Sequence, residues 1–173
     1  IIYKALCQQF ASHKMTPPSF ETSRKLFGFP IEDYYKRLGF DFSKVSFKEV
    51  NEEYAKIYDS MIADFGRLFV GTKELLVELD QLGKKQYILS AASQSHLDWI
   101  VPRFGIENLF CKIKGLCHRL GDSKLEAAKT LVKDEKIDCH KTILIGDTDH
   151  DAQVAKAIGS CHLIIADGYQ DFS

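Results

Sequence analysis

The fold is decided by residues 142–151, which read TILIGDTDHD. Four apolar or β-branched residues run directly into Gly146-Asp147-Thr148, a pattern typical of a fully buried parallel strand that ends in a turn. Apolar residues then recur at three-residue spacing from Ala152, which predicts a helix that begins near Asp149 or Asp151. The stretch therefore predicts a strand–turn–helix unit of a parallel α/β sheet. Its carboxylates lie at the carboxyl end of the strand, where open α/β sheets bind their ligands.

The three carboxylates of this turn, Asp147, Asp149 and Asp151, favour a cation site. Carboxylates crowded this closely repel one another unless a cation lies between them, and hard oxygen ligands suit Mg²⁺. The alternative is that Asp149 caps the helix and Asp151 complements its dipole. Capping explains one or two acids here, but it does not explain the Gly-Asp-Thr that precedes them. We therefore expect Mg²⁺ to bind at this turn.

The chain divides by the type of element that its patterns predict. Residues 1–67 have helical periodicity with helix-start signals at Ser19 and at Ser46, which forms a capping-box pattern with Glu49. From residue 68 onward, predicted strands alternate with helices, which is typical of a parallel α/β sheet with right-handed crossovers. We expect an all-helical cap over 1–67 that excludes water from chemistry at the strand ends of an α/β core over 68–173.

Composition narrows the classes of partner. The chain has 23 basic and 24 acidic residues, a net charge of −1, which gives no reason to expect nucleic acid or an anionic membrane as a partner. No apolar run approaches the roughly 20 residues of a membrane span. No signal peptide is visible, although the sequence opens with Ile1 and not Met. We expect a monomer or a homodimer.

The five cysteines favour reduced thiols in a cytoplasmic protein, because their number is odd and no Cys-x-x-Cys pair occurs. Three Cys-His dipeptides raise a zinc hypothesis, but their spacing matches no known ligand pattern. These dipeptides are Cys117-His118, Cys139-His140 and Cys161-His162.

Two further side chains stand at the start or end of a predicted strand–helix unit, as Asp147 does. Ser90 ends a predicted strand and offers its hydroxyl, with the free amides of Ala91 and Ala92, to an anion. Lys124 lies in the first turn of a predicted helix, where a cation is electrostatically disfavoured and needs another reason to be present. Taken alone, Ser90 is more often a turn hydroxyl and Lys124 a solvated surface lysine. Together with Asp147 they are the parts with which a phosphoryl-transfer site holds and neutralises a phosphate.

In this order, Ser90, Lys124 and Gly146-Asp147-Thr148-x-x-Asp151 resemble the second, third and fourth motifs of the haloacid dehalogenase-like (HAD) phosphohydrolase superfamily. Residues 70–76, VGTKELL, look like the segment that enters the second core strand in its phosphoglycolate phosphatase-like branch. The helical first third, with LFGFP at 26–30, is similar to the helical cap of that branch. The resemblance covers essentially the whole chain and implies a Rossmann-like parallel-sheet core, without its first strand here.

The resemblance also implies roles for the site residues. Ser90 would hydrogen-bond the transferring phosphoryl group, and Lys124 would neutralise it and orient the nucleophile. Asp147 would ligate Mg²⁺ directly or through water, and Asp151 would support the metal site or Lys124. Gly28 and its neighbours would reach toward the leaving group of a small phosphorylated metabolite.

Other polar residues are weaker candidates for contact with the substrate. His13, Arg24 and Lys25 could contact it from the cap, and His150 lies near enough the predicted site to touch it. The sugar-phosphate mutases of the same branch place basic residues around the cap-loop glycine, whereas this chain has Phe27 and Ile31 in that neighbourhood. These two residues favour a phosphomonoester hydrolase over a mutase.

The sequence departs from the family pattern at the first motif. The family's nucleophilic aspartate and general acid lie in Asp-x-Asp-Gly-Thr just before the first cap helix, and no such run occurs in these 173 residues. We expect that the chain alone does not hydrolyse phosphate esters, because it has no nucleophile for an aspartyl-phosphate mechanism. Either the sequence is trimmed, or the protein is a non-catalytic relative that binds a phosphate ligand or a protein partner. A phospho-acceptor receiver domain fits less well, since it leaves the helical first third unexplained.

Overall fold

A computed structural model of the chain describes residues 1–116 and 123–171. In chain order, the helices and strands are α1 (Ile2–Ser12), α2 (Phe20–Leu26), α3 (Ile31–Arg37), α4 (Phe47–Phe65), α5 (Thr72–Gln81), β1 (Tyr87–Ser93), α6 (Gln94–Ile100), β2 (Lys112–Leu116), α7 (Lys124–Asp134), β3 (Ile143–Gly146), α8 (Asp149–Ile158) and β4 (Cys161–Ile164). Short 3₁₀ turns occupy Pro102–Phe104, Glu107–Leu109 and Cys139–Lys141. None of the helices in the described part of the chain is long and apolar enough to cross a bilayer.

The residues form two compact units. One unit contains Ile1–Phe65 and Cys139–Ser173, and the other contains Gly66–Asp138. These units group residues by proximity, whereas the predicted division into 1–67 and 68–173 groups them by type of secondary structure. The predicted domain division therefore stays a prediction.

Two helices of the first unit begin where the local sequence signals predict. Ser19 caps α2 by accepting a hydrogen bond from the amide of Thr22. Ser46 and Glu49 form the predicted reciprocal pair at the start of α4, since the Glu49 amide donates to the Ser46 hydroxyl and the Ser46 amide donates to the Glu49 carboxylate. These caps satisfy amides that have no partner within a helix.

Aromatic and aliphatic side chains from α1, α3, α4 and the segment between α3 and α4 form the core of the helical part. Its buried members are Leu6, Phe10, Tyr34, Tyr35, Phe40 and Val50. Within this core Gln9 has no exposed surface. Its amide nitrogen donates to the carbonyl of Val50 at 2.6 Å, and its oxygen accepts from the hydroxyl of Tyr35 at 2.7 Å. Gln9 thus ties three helices together with buried polar contacts.

The α/β part of the first unit is a parallel pair, β3 and β4, with α8 packed against both strands. The prediction of a fully buried strand at 143–146 is wrong. Ile143 and Ile145 are 63% and 59% exposed. The apolar run predicts burial on both faces, but the described residues cover only the face on which α8 packs. Alternate residues of β3 therefore remain accessible.

The second unit holds the other parallel pair, β1 and β2. The four described strands pair in parallel as two two-stranded sheets, β1 with β2 and β3 with β4. Strand β1 continues to Ser93, beyond the predicted end at Ser90, and its register with β2 is irregular between Leu89 and Ser93. Gly115 explains the close approach of the backbones there, because a Cβ at this position would lie 2.8 Å from the carbonyl oxygen of Ala92.

The Gln9 contacts give a test of the helical core. Replacing Gln9 with Ala removes the partner of the buried Tyr35 hydroxyl, whose pKa is raised by burial, so this hydroxyl stays a neutral donor. We expect Gln9→Ala to lower the free energy of unfolding by about 1–3 kcal/mol, the cost of an unsatisfied buried group. Urea denaturation followed by circular dichroism measures this change. The control is Gln8→Ala on the same helix, where the side chain is exposed. Equal losses for the two variants would contradict the assignment.

Candidate active site

The turn between β3 and α8 is organised by the carboxylate of Asp151. This residue is 3% exposed, and its Oδ2 accepts hydrogen bonds from the amides of Asp147 and Thr148, both at 3.1 Å, and from the Thr148 hydroxyl at 2.8 Å. Thr148 is the N-cap of α8, and the two side chains form a capping box. The cap is therefore Thr148 and not Asp149, and Asp151 binds the turn itself rather than only complementing the helix dipole.

Glycine at position 146 makes this arrangement possible. A Cβ on Gly146 would overlap the side chain of Asp151. The carboxylate of Asp151 can therefore lie directly over the end of β3 only because no side chain stands there.

Asp147 is the partly buried acid of this turn that keeps an oxygen available. Its side chain is half-buried, and Oδ2 accepts a hydrogen bond from the amide of Tyr169 at 3.3 Å. Among the described residues, Oδ1 of Asp147 has no hydrogen-bond donor. A carboxylate that is held on one oxygen and open on the other is suited to bind a cation or to accept a proton.

The residues of this turn are compatible with bound Mg²⁺: one carboxylate would be a metal ligand, and a second would hold that ligand in place. Mg²⁺ is commonly held by one or two carboxylates together with waters and substrate phosphate, so a dedicated cage of protein ligands is not required. In residues 1–116 and 123–171, no cluster of three or more His, Cys, Asp or Glu side chains could hold a metal. Asp147 would supply the ligand oxygen, and Asp151 would fix the backbone from which Asp147 projects.

The cap loop lies beside the first turn of α8. The Phe29 ring is 4.7 Å from the ring of His150, centroid to centroid, and the peptide bond between Phe29 and Pro30 is cis. Gly28 precedes this contact, and a Cβ there would lie 3.4 Å from the guanidinium of Arg37. The structure thus brings the loop that contains Gly28 near Asp147 and Asp151, while its predicted role in substrate binding stays a prediction.

Ser90, Ala91 and Lys124 belong to the second unit. The hydroxyl of Ser90 accepts a hydrogen bond from the amide of Ala92 at 3.1 Å, so the expectation that this amide is free is wrong. Lys124 is the first residue of α7, which Ser123 caps and which packs against β1 and β2. The convergence of Ser90 and Lys124 with Asp147, and their predicted roles, stay predictions.

Two residues that the sequence suggested as cap contacts have structural partners. His13 Nε2 lies 2.6 Å from a carboxylate oxygen of Glu53, and its ring packs edge-on against Phe40. Burial raises the pKa of Glu53, but hydrogen bonds from Ser12 and His13 outweigh this effect and leave the pKa below its ordinary value. Arg24 donates to main-chain carbonyls of residues 168–170. The Cys117-His118 dipeptide lies outside the described residues.

Sequence reasoning missed the segment that follows β4. Residues 168–170 lie against the acid turn, since the Tyr169 amide donates to Asp147 and the Gln170 side-chain oxygen accepts from the Asp149 amide at 2.8 Å. The available signal was Gly168, because a Cβ there would overlap the side chain of Asp147.

The order of elements and the acid turn agree with the comparison of the whole chain. The sequence profile of haloacid dehalogenase-like hydrolases matches residues 1–165. The chain belongs to this family. None of the curated proteins matches it significantly. The family membership and the α/β fold class that the sequence predicted, with parallel strands and a helical first third, are confirmed.

Several solved structures share the fold of this chain. A haloacid dehalogenase-like family hydrolase from Streptococcus pneumoniae is 23% identical with a TM-score of 0.78, over 99% of this chain and 79% of that one. Protein Tyrosine Kinase A from Mycobacterium tuberculosis is 20% identical with a TM-score of 0.83, over 99% and 78%. A predicted phosphoglycolate phosphatase from Haemophilus somnus 129pt is 16% identical with a TM-score of 0.78, over 99% and 80%. At these identities the likeness shows the fold alone.

The capping box predicts different effects for two neighbouring acids. Asp151→Ala should lower the free energy of unfolding by about 1–3 kcal/mol, because it leaves the buried Thr148 hydroxyl and two amides without their acceptor. Asp149→Ala is the matched control, since this exposed side chain contributes only to the helix dipole, about 0.3–1 kcal/mol. Chemical denaturation of both variants measures the difference. A loss at Asp149 as large as that at Asp151 would refute the assignment of the cap.

Proposed function

We propose that this HAD-like chain belongs to a Mg²⁺-dependent phosphomonoester hydrolase that acts on a small phosphorylated metabolite, in the manner of a phosphoglycolate phosphatase. The observation that carries the proposal is the position and hydrogen bonding of the Asp147 carboxylate. Its carboxylate stands at the carboxyl end of β3, is fixed through one oxygen, and has no donor on the other among the described residues. Carboxylate oxygens are the ligands that Mg²⁺ prefers, and the carboxyl end of a parallel strand is where such sheets bind ligands. Both features suit a metal ion that binds a substrate phosphate.

The other residues of the proposed site have complementary charge and hydrogen-bonding capacity. Ser90 and the amide of Ala91 would donate to the phosphoryl oxygens, and Lys124 would neutralise their charge. Asp147 and Asp151 would serve the metal site, the first as a ligand and the second by holding the turn. Bound Mg²⁺ would supply further neutralisation of the phosphate charge. Gly28 would face the leaving group from the cap loop.

The absence of Asp-x-Asp-Gly-Thr from these 173 residues supports a second function, a non-catalytic protein that binds a phosphate ligand or a protein partner. The fold does not choose between the two functions, because one fold supports many activities and one of the neighbours is named a kinase. The coding sequence upstream of Ile1 distinguishes them. Asp-x-Asp-Gly-Thr there would support the hydrolase, and its absence would support the binding protein.

The remaining proposals concern the class of ligand, the cellular compartment and the oligomeric state of the protein. The balanced charge supports a small-molecule ligand rather than nucleic acid or a membrane, and an odd number of cysteines supports reduced thiols in the cytoplasm. Cys7, Cys111, Cys139 and Cys161, the cysteines in the described residues, form no disulfide. We propose a monomer or a homodimer.

The metal role of Asp147 is tested by binding rather than turnover. We expect Mg²⁺ to raise the unfolding temperature of the 173-residue chain, since a ligand that binds only the folded state stabilises it by mass action. Asp147→Asn should weaken Mg²⁺ binding at least about tenfold, the smallest effect expected even from loss of an outer-shell partner. Isothermal titration calorimetry gives the two dissociation constants. Asp149→Asn is the control, and an unchanged affinity in Asp147→Asn would remove the proposed metal role.

The proposed reaction requires a nucleophile that this sequence lacks. We expect the 173-residue polypeptide to show no Mg²⁺-dependent turnover of 4-nitrophenyl phosphate, because an aspartyl-phosphate intermediate needs the missing first-motif aspartate. The control is the same assay on the chain extended by its native upstream sequence, if that sequence contains Asp-x-Asp-Gly-Thr. Turnover by the 173-residue chain that disappears in Asp147→Asn would show that another residue acts as nucleophile.

A further inference from the structure

One guanidinium group donates hydrogen bonds to the main-chain carbonyls of three consecutive residues, 168, 169 and 170. We call this segment, residues 168–170, the strap. Arg24 Nε donates to the carbonyl of Tyr169 at 3.0 Å, and one terminal nitrogen donates to those of Gly168 at 3.2 Å and Gln170 at 3.5 Å. Arg24 belongs to α2, about 145 residues earlier in the chain. No acidic side chain in the described residues pairs with it. The N–H groups of Arg24 therefore hold the backbone of the strap.

The side chain of Tyr169 anchors the strap to the same helix. Its hydroxyl shares a hydrogen bond of 2.9 Å with the hydroxyl of Ser23, which has no exposed surface. The ring packs edge-on against Phe27 at 5.2 Å between centroids and against Phe20 at 6.4 Å. The strap is thus fixed to α2 by its backbone and by its one large side chain.

The opposite side of the strap contacts the acid turn. The Tyr169 amide donates to Oδ2 of Asp147, and the Gln170 side chain accepts from the Asp149 amide. Gly168 lies so close to Asp147 that a Cβ on it would overlap that side chain. The strap therefore limits the positions that the Asp147 carboxylate can take, and it occupies Oδ2 while Oδ1 receives no donor from the described residues.

We propose that Arg24 is a positioning residue for Asp147. By holding the carbonyls of the strap, it keeps the Tyr169 amide against Oδ2, and this contact leaves Oδ1 as the oxygen presented to the metal. The inference deepens the proposed function and rests on it for the identity of the ligand. The geometry of the strap itself is independent of any metal.

The first experiment measures, without metal, whether the strap holds the Tyr169 amide against Asp147. Hydrogen exchange of the Tyr169 amide, followed by NMR, is expected to be slow in the 173-residue chain and at least about tenfold faster in Arg24→Met, since the hydrogen bond to Asp147 then opens locally. Gly168→Ala should have the same effect, because its Cβ displaces the strap from Asp147. The control is Lys48→Met, which removes an exposed cation 3.9 Å from Glu52. Unchanged exchange in Arg24→Met would overturn the proposal, whatever the result for Gly168→Ala.

The second experiment reads the consequence for the metal. We expect Arg24→Met and Gly168→Ala to weaken Mg²⁺ binding roughly tenfold by calorimetry, the effect typical of lost outer-shell support. Arg24→Lys should recover only part of the affinity, because one ammonium cannot reproduce the planar donor fork of arginine. If Asp147→Asn weakens binding and Arg24→Met does not, the positioning role is refuted while the proposed function stands. If neither the chain nor its variants bind Mg²⁺, the proposed metal site fails and the positioning role toward a metal fails with it.

Discussion

The structure around the candidate site depends on a buried carboxylate that is satisfied by its own turn. Asp151 is almost without exposed surface, and an ionised carboxylate in such a place is stable only when hydrogen bonds replace its hydration. Its Oδ2 accepts three hydrogen bonds, from the amide of Asp147 and from the amide and hydroxyl of Thr148. The same contacts end β3, begin α8 and determine where the backbone of Asp147 points. Gly146 is the sequence condition for this geometry, because any side chain there would occupy the space of the carboxylate.

This arrangement changes the interpretation of the acidic cluster. Crowding of three acids suggests that a cation must lie between them, yet the repulsion on Asp151 is already offset by its hydrogen-bond donors. Asp149 is exposed at the start of α8, where the helix dipole favours negative charge. Asp147 is half-buried, and in the described residues one of its carboxylate oxygens has no donor. The cluster thus contains one acid for the turn, one at the surface and one suited to a ligand.

Local signals predicted the fold well, whereas contacts between distant segments were beyond them. The serine caps of α2 and α4 and the strand–turn–helix around Asp147 depend on residues within four positions of one another, so the sequence shows them directly. The exposure of Ile143 depends on which elements cover β3, and an apolar run does not encode that information. The role of Arg24 was equally hidden, because its acceptors are backbone carbonyls of no particular sequence.

The strap shows how the helical first third and the acid turn are mechanically connected. A backbone segment outside helices and strands has carbonyls that need donors, and one guanidinium supplies them for three consecutive residues. Helix α2 leads directly into the loop whose Phe29 contacts His150 beside the acid turn. The loop, α2, the strap and the Tyr169 amide that donates to Asp147 thus form a continuous series of contacts. The loop that contains Phe29 and the Asp147 carboxylate are therefore linked through contacts made by this chain alone.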